Sequence, residues 1–287
     1  MLVDEKEITI TGRLIKVARI KDEWYEDIED PISLLQKIRE SQLKADIFTF
    51  WQRLPDTEPK YNYYFEWDYI AATHIKSFEH WYKAQIRGSA RNMIKKAQKA
   101  GVEVKVANFD DEFLRGIKDI FNETPIRQGK PFWHYGKDFE TVKREFSMNI
   151  YREDIIGAYY NDELIGFIML AHAGRYAMLT QIISKIKHRD KAPTNVLVAK
   201  AIEVCEKKNI PYLVYASWPR GSLADFKRYN GFVKTGLPRY YVPLTLKGTI
   251  ALKLRLHNGL GSKLPERLLL PLLDLRKKWY TRKYRCL

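Results

Sequence analysis

Asp154-Ile155-Ile156-Gly157-Ala158-Tyr159-Tyr160-Asn161-Asp162-Glu163-Leu164-Ile165-Gly166-Phe167-Ile168-Met169-Leu170-Ala171-His172-Ala173-Gly174-Arg175-Tyr176-Ala177-Met178-Leu179-Thr180-Gln181-Ile182-Ile183-Ser184-Lys185-Ile186 is the stretch whose reading decides the fold. It divides into three strands, Asp154–Tyr160, Glu163–Ala173 and Tyr176–Ile186. Asn161-Asp162 joins the first two as a tight hairpin turn, and Gly174-Arg175 joins the second two.

Outward from these strands the period changes. Residues 193–208 form a helical pattern with Val196, Leu197, Ala201, Ile202 and Cys205 on one face. A strand Tyr212–Ala216, a helix Leu223–Tyr229 and an extended stretch Phe232–Val242 follow. On the other side, Val102–Val106 alternates as a strand. Asp110–Asn122 is an amphipathic helix with Phe113, Ile117, Ile120 and Phe121 inward. A loop from Thr124 to Gly136 leads to a helix from Lys137 to about Met148. Residues 102–244 therefore read β-α-α-β-β-β-α-β-α-β. The first hundred residues predict strands at Ile8–Ile10 and Leu14–Val17 around a Gly12 turn, a helix Pro31–Leu43 and a strand Asp46–Trp51. The turn Leu54–Pro59 and an extended stretch Tyr61–Ile70 come next, then one long basic helix from Ser77 to Ala100 stopped by Gly101. The division expected is 1–100, 101–245 and a basic tail, 246–287.

Composition narrows the function classes. The chain has 287 residues, 45% hydrophobic and 30% charged, enough to bury a core. Its amino terminus is acidic and lacks the apolar region of a signal peptide. No run approaches the 18 apolar residues of a membrane span. A cytoplasmic protein, at most peripheral at the inner face of the membrane, is expected. Its 2 cysteines, Cys205 and Cys286, make neither a disulfide framework nor a zinc site, and no metal is expected. Net charge is +15, and from Thr245 onward 11 Lys/Arg stand against 2 Asp/Glu. That balance points to anionic partners without choosing among them.

The element order is that of GNAT acyltransferases, and local motifs bring it closer to one branch. Arg91-Asn92-Met93-Ile94-Lys95-Lys96-Ala97-Gln98-Lys99-Ala100-Gly101-Val102 resembles a helix-to-strand junction of the Fem-type peptidoglycan aminoacyltransferases. Ser222-Leu223-Ala224-Asp225-Phe226-Lys227-Arg228-Tyr229-Asn230-Gly231-Phe232 resembles their Phe-Lys segment, with the Gly-Phe ending of ordinary GNAT enzymes. Ala192-Pro193-Thr194-Asn195 resembles the start of their central helix. The resemblance covers residues 75–245 and reaches the first 75 only loosely. It implies an α/β fold: a GNAT-like mixed twisted sheet flanked by helices, with a smaller or reduced GNAT-like amino-terminal half. It also implies transfer of an acyl group to an amine, on an amino sugar or cell-envelope precursor. The donor expected is acyl-CoA, the choice of most GNAT-fold proteins, with aminoacyl-tRNA, the Fem-type choice, as the alternative.

Three constellations are candidate sites. At the start of the central helix, Lys187, Arg189, Lys191, Thr194 and Asn195 are placed to hold donor phosphates, aided by free helix amides. No glycine lies between Lys187 and Asn195, so the Gly-rich cradle of coenzyme A enzymes is missing; a capped helix behind a solvated basic turn reads equally well. Lys227 stands where typical GNAT enzymes often carry a tyrosine that protonates the departing thiolate. The resemblance gives it a role on phosphate or developing charge, with Tyr229 as a spare proton donor. In the loop Thr124–Gly136, Arg127, Gln128 and Lys130 are candidates for an acidic group of the acceptor, Trp133 and Tyr135 for stacking, and His134 for a general base. Ser217, Ser222 and Cys205 lack a nucleophile elbow, which leaves direct attack of the acceptor amine on the donor carbonyl.

The tail carries a stripe of leucines, including Leu264, Leu268 and Leu272, and then a run of Arg and Lys interleaved with Trp279, Tyr280 and Tyr284. This pattern suits an anionic membrane surface, tRNA, or a helix docked on the domain. A non-catalytic module binding nucleic acid or membrane through this tail is the alternative to an enzyme.

Overall fold

The computed structural model describes residues 1–258 apart from 27, 128, 149 and 220. Most of the expected tail and Gln128 therefore lie outside the described residues.

In chain order the first elements are β1 (Leu2–Val3), β2 (Lys6–Thr11), β3 (Val17–Ile20), α1 (Pro31–Glu40), β4 (Ile47–Trp51) and β5 (Tyr64–His74). Asp30 caps α1 by accepting from the Ile32 and Ser33 amides. The strand expected at Leu14–Val17 starts only at Val17 and runs on to Ile20.

The expected continuous helix from Ser77 to Ala100 is broken. Ser77 caps a short α2 (Phe78–His80) that widens into a π turn at Trp81–Gln85; the chain then turns extended at Ile86, and α3 (Gly88–Lys99) begins afresh. The Arg91 guanidinium stabilises the break, donating to the carbonyls of Tyr82, Lys83 and Ile86 at 3.0, 3.2 and 2.8 Å. Buried Trp81 fastens the first segment elsewhere, its indole donating to the Asn230 carbonyl at 3.1 Å.

The remaining elements follow the expected order: β6 (Glu103–Val106), α4 (Asp111–Phe121), β7 (Ile126–Arg127), β8 (Lys130–Pro131), α5 (Phe139–Ser147), β9 (Glu153–Tyr160), β10 (Glu163–Ala173) and β11 (Tyr176–Ser184). Then come α6 (Pro193–Lys207), β12 (Tyr212–Ser217), α7 (Ser222–Tyr229), β13 (Val233–Pro243) and α8 (Leu246–Lys253). Asn161 and Asp162 both have positive φ, 49° and 61°, as a tight hairpin turn with the twist of its strands requires. β7 and β8 form a small hairpin inside the loop expected to be irregular.

Among the described residues, eleven strands make one sheet in the order β1-β2-β3-β4-β13-β5-β12-β11-β10-β9-β6. It is mostly antiparallel, with β3–β4 and β11–β12 parallel. β5, from the first part of the chain, lies between β12 and β13. Helices cover both faces. One face packs α3 and α6 over Ile156, Ile168, Leu170 and Leu213. The other packs α4 and α5 over Phe167 and Met169, with Phe121 fully buried between them. Removing a side chain such as Phe121 costs about 3–5 kcal/mol. No helix among the described residues is long and apolar enough to cross a membrane.

Candidate active site

The parallel pair β11–β12 is joined only from Tyr176–Met178 to Tyr212–Val214. Beyond that point the two strands part, β11 staying on β10 and β12 on β5. β11 carries a bulge at Thr180, skipped between the pairs Leu170–Leu179 and Met169–Gln181, and a bulge bends and twists its strand. On β12, Ala216 adopts a positive φ of 47°. The two strands splay, and on one face of the gap lies a cleft of about 600 Å³.

The cleft gathers residues from several regions. The loop after α4 contributes Arg127, Lys130 and Trp133; β11 contributes Ile182 and Ser184. Arg189 comes from the turn before α6, Thr194 and Asn195 from its first turn, and Tyr215 and Phe226 from β12 and α7. Sequence positions read separately as donor and acceptor groups thus share one concavity.

The turn before α6 is held by a residue the sequence did not single out. Glu123, just past α4, accepts from the backbone amides of Ile186 at 2.6 Å and Lys187 at 2.8 Å. The same carboxylate pairs with Arg127 at 3.1 Å. Arg127 also donates to the carbonyls of Ser184 at 2.8 Å and Ile120 at 3.0 Å, so its guanidinium lines the cleft while tying the loop to β11. Beyond its spacing of four from Arg127, nothing local marks Glu123, whose amide partners lie more than sixty residues further on.

The basic residues of the turn part company. Arg189 faces the cleft. Lys187 pairs with Glu163 at 2.7 Å, outside it. Burial pushes the Glu163 carboxyl up, but hydrogen bonds from Lys185, Lys187 and His188 outweigh this and hold it down to about 2. Lys191 pairs with Asp190 at 3.2 Å and lies over the Tyr160 ring. Thr194 shares a hydroxyl hydrogen bond with Ser184 at 3.1 Å. The buried Asn195 amide donates to Asn230 at 3.1 Å, bracing α6 against the end of α7.

Lys227 is buried, with 2% of its surface exposed. Its ammonium donates to the Ser217 carbonyl at 2.9 Å and to that of Tyr215, and lies 4.1 Å from the centre of the Tyr215 ring. Burial lowers its pKa to about 8. The ammonium thus sits one layer behind the cleft wall and clamps the two carbonyls where β12 parts from β11. Tyr229 points elsewhere, into the core beside α3, with Arg87 over its ring at 4.8 Å.

His134 is also buried at 2% exposure, stacked on Phe121 at 3.9 Å and Trp133 at 3.6 Å between ring centres. Burial, with Lys137 and Arg127 nearby, lowers its pKa to about 3. An imidazole that weak takes no proton from an ammonium near neutrality, so the expectation of a general base gives way to a packing role. Trp133 is 69% exposed with the Lys137 ammonium 3.9 Å from its ring centre; Tyr135 is exposed and lines no cleft described here.

No family model matches the chain, and no curated protein sequence matches it. Solved structures do. FemX superposes with a TM-score of 0.61 at 10% identity, covering 86% of each chain. L-PGS from Bacillus licheniformis gives 0.56 at 14% identity, over 87% of this chain and 85% of its own. A C-terminal domain ascribed to a lysylphosphatidylglycerol synthetase of Agrobacterium fabrum gives 0.54 at 12%, over 88% and 86%. These similarities, with the splayed β11–β12 pair and helices on both faces, give the chain the GNAT-like fold in its Fem-type form.

Proposed function

We propose that the protein is an N-acyltransferase that moves an aminoacyl group from a tRNA ester to an amine, on an acceptor of the cell-envelope class. The observation that carries this reading is the cleft at the splayed end of β11 and β12, where Arg127, Lys130, Arg189 and Tyr215 converge. Separated strands leave backbone groups free to align a carbonyl against an incoming amine, so positioning and electrostatics supply the catalysis. The amine nitrogen attacks the carbonyl carbon, the C–N bond forms and the C–O bond to the ribose breaks. One amine proton leaves with the departing oxygen.

Glu123 favours this donor over acyl-CoA. A pyrophosphate at this junction needs free amides, and the Ile186 and Lys187 amides already serve a carboxylate. A second anion there meets the negative charge of Glu123. Lys130, Arg189 and exposed Trp133 at the cleft suit a terminal nucleotide, by charge and by stacking. The name of one similar structure, a domain ascribed to a lysylphosphatidylglycerol synthetase, also supports an aminoacyl donor. Lys227 serves by fixing the open end of β12, and the amino-terminal hundred residues are read as a reduced GNAT-like half sharing the sheet. Acyl-CoA remains the second reading because the first turn of α6, with Thr194, faces the cleft.

The test is ligand stabilisation followed by transfer. A ligand at 100 times its Kd adds about 2.7 kcal/mol of stability. Bulk aminoacyl-tRNA is expected to raise the melting temperature and acetyl-CoA to leave it unchanged, with labelled amino acid passing to a small amine. A shift with acetyl-CoA reverses the donor assignment; no acyl transfer from either donor overturns the enzyme.

A further inference from the structure

A helix that is apolar all round is normally buried all round. α8 breaks that rule. Its only charged residues are Lys247 and Lys253. Gly248, Ala251 and Leu252 are buried, the last two against Ile47 and Tyr241. The opposite side carries Leu246, Ile250 and, at the carboxy-terminal cap, Leu254, which are 79%, 50% and 56% exposed. With about 3.6 residues per turn, a spacing of four sets these three in one stripe, and Lys247 and Lys253 fall on either side of it. Leu14, next to Ile15 of the same packing cluster, is exposed to the same degree as Leu246. Single exposed leucines are ordinary; a stripe of them opposite a buried face marks a binding surface.

The stripe is held in place. Thr245 caps α8, accepting from the Gly248 amide at 3.0 Å and donating to Asp46 at 3.2 Å. Gly248 lets the helix lie against the Asp46 carbonyl, where a Cβ has no room. Beyond the helix, Asn258 donates to Glu66 at 2.9 Å. Charge then says what covers the stripe. Lys247 pairs with Asp46 at 3.2 Å, whereas Lys253 and Arg13, beside Leu14, have no ion pair among the described residues. No Asp or Glu occurs in the sequence from Thr245 to Pro265. A second copy would set these cations against themselves. Residues 259–287, with 8 Lys/Arg against 2 Asp/Glu, would add cations to them. A lipid surface with anionic headgroups accepts both the apolar stripe and its lysines.

We propose that α8 is an in-plane anchor for an anionic lipid bilayer. Leu246, Ile250 and Leu254 enter the boundary between headgroups and acyl chains, with Leu14 beside them. Lys247 and Lys253 lay their stems along that boundary and bring their ammonium groups to the headgroup phosphates. The apolar contact supplies a hold that salt does not screen, and the lysines supply the preference for anionic lipid. The anchor requires no particular reaction at the cleft.

Vesicles of phosphatidylcholine, alone or mixed equally with phosphatidylglycerol, test this on the full chain. In the first experiment an environment-sensitive fluorophore is attached at Ile250→Cys in a Cys286→Ser background. Cys205 is buried, which pushes its thiol up to about 12 and keeps it unreactive. Mixed vesicles should brighten and blue-shift the emission at 250. The same label at Gln98→Cys, on α3 over the other face of the sheet, should not respond. Emission already shifted without lipid and unmoved by it means that protein covers the stripe, either this chain's own end or a second copy, and overturns the proposal. In the second experiment Leu246→Ser, Ile250→Ser and Leu254→Ser are combined. Sedimentation with mixed vesicles should show binding weakened about 10-fold, with the melting temperature unchanged because all three side chains are exposed. Equal binding by variant and wild type means that another part of the chain holds the membrane, and overturns the anchor. Wild-type binding as strong to pure phosphatidylcholine as to the mixture, or absent from both, does the same.

Discussion

The Glu123 carboxylate accepts a hydrogen bond from the Ile186 amide at 2.6 Å, and so ties the end of α4 to the turn that leads into the central helix. Its second oxygen does the same for Lys187 at 2.8 Å. An internal carboxylate in that place holds the turn and biases what else binds there.

Glu123→Ala should loosen the turn and open it to anions. The lost hydrogen bonds to two amides predict a stability loss of about 1–3 kcal/mol, read as a lower urea midpoint at constant slope. Acetyl-CoA should stabilise this variant more than the wild type. An unchanged midpoint together with an unchanged response to acetyl-CoA would show that the carboxylate neither holds nor guards the turn.

Arg127→Ala should be more damaging than an exposed arginine would suggest. Its removal strands the Ser184 and Ile120 carbonyls and leaves Glu123 without its cation, a loss of about 3 kcal/mol. Arg127→Lys supplies the charge but not the fork and should recover only part. Equilibrium unfolding of the three proteins checks the order.

Lys227→Met should remove a pH dependence as well as a clamp. The native pKa near 8 lies below the ordinary 10.5, so between these values the unfolded chain keeps a proton that the native chain has lost. Stability contributed by this group therefore rises with pH across that window and is constant below it. The difference in unfolding free energy between wild type and variant should shift toward the wild type from pH 8 to 10. A flat difference would mean that the two carbonyl acceptors keep the ammonium charged.

His134 should make the protein acid-sensitive. Its native pKa near 3 lies below the usual 6.5, so the unfolded chain binds the proton first and native stability falls as pH drops below 6.5. Between pH 6.5 and 5 the loss is about 1–2 kcal/mol. His134→Phe, which preserves the stack on Phe121, should flatten that limb in urea titrations and leave neutral-pH acyl transfer within a few-fold of wild type. A large loss of transfer would restore the general-base role.

Local chemistry in the sequence determined the order of the elements. The Asn161-Asp162 turn, the apolar face of Asp110–Asn122 and the short runs between turns each depend on neighbours within a few residues, and each took the expected form. The placement of Lys227 on a short basic helix was legible for the same reason. Its burial was not, because it depends on the Tyr215 and Ser217 carbonyls turning toward it where β12 parts from β11.

Only the tertiary structure decided the rest. A helix whose composition reads as continuous is broken at Ile86, with Arg91 bonded to the freed carbonyls and Trp81 fastened to Asn230. β5 entered the sheet between β12 and β13, bringing the two parts of the chain into one layer. His134 became a stacked core residue, and Lys187 and Lys191 turned to Glu163 and Asp190 while Arg189 stayed at the cleft. Glu123 stands four residues before Arg127, but its hold on the turn was not legible, since it depends on amides more than sixty residues further on. Periodicity records which side of an element is apolar; which charged groups meet is fixed only when the sheet closes and water is excluded between them.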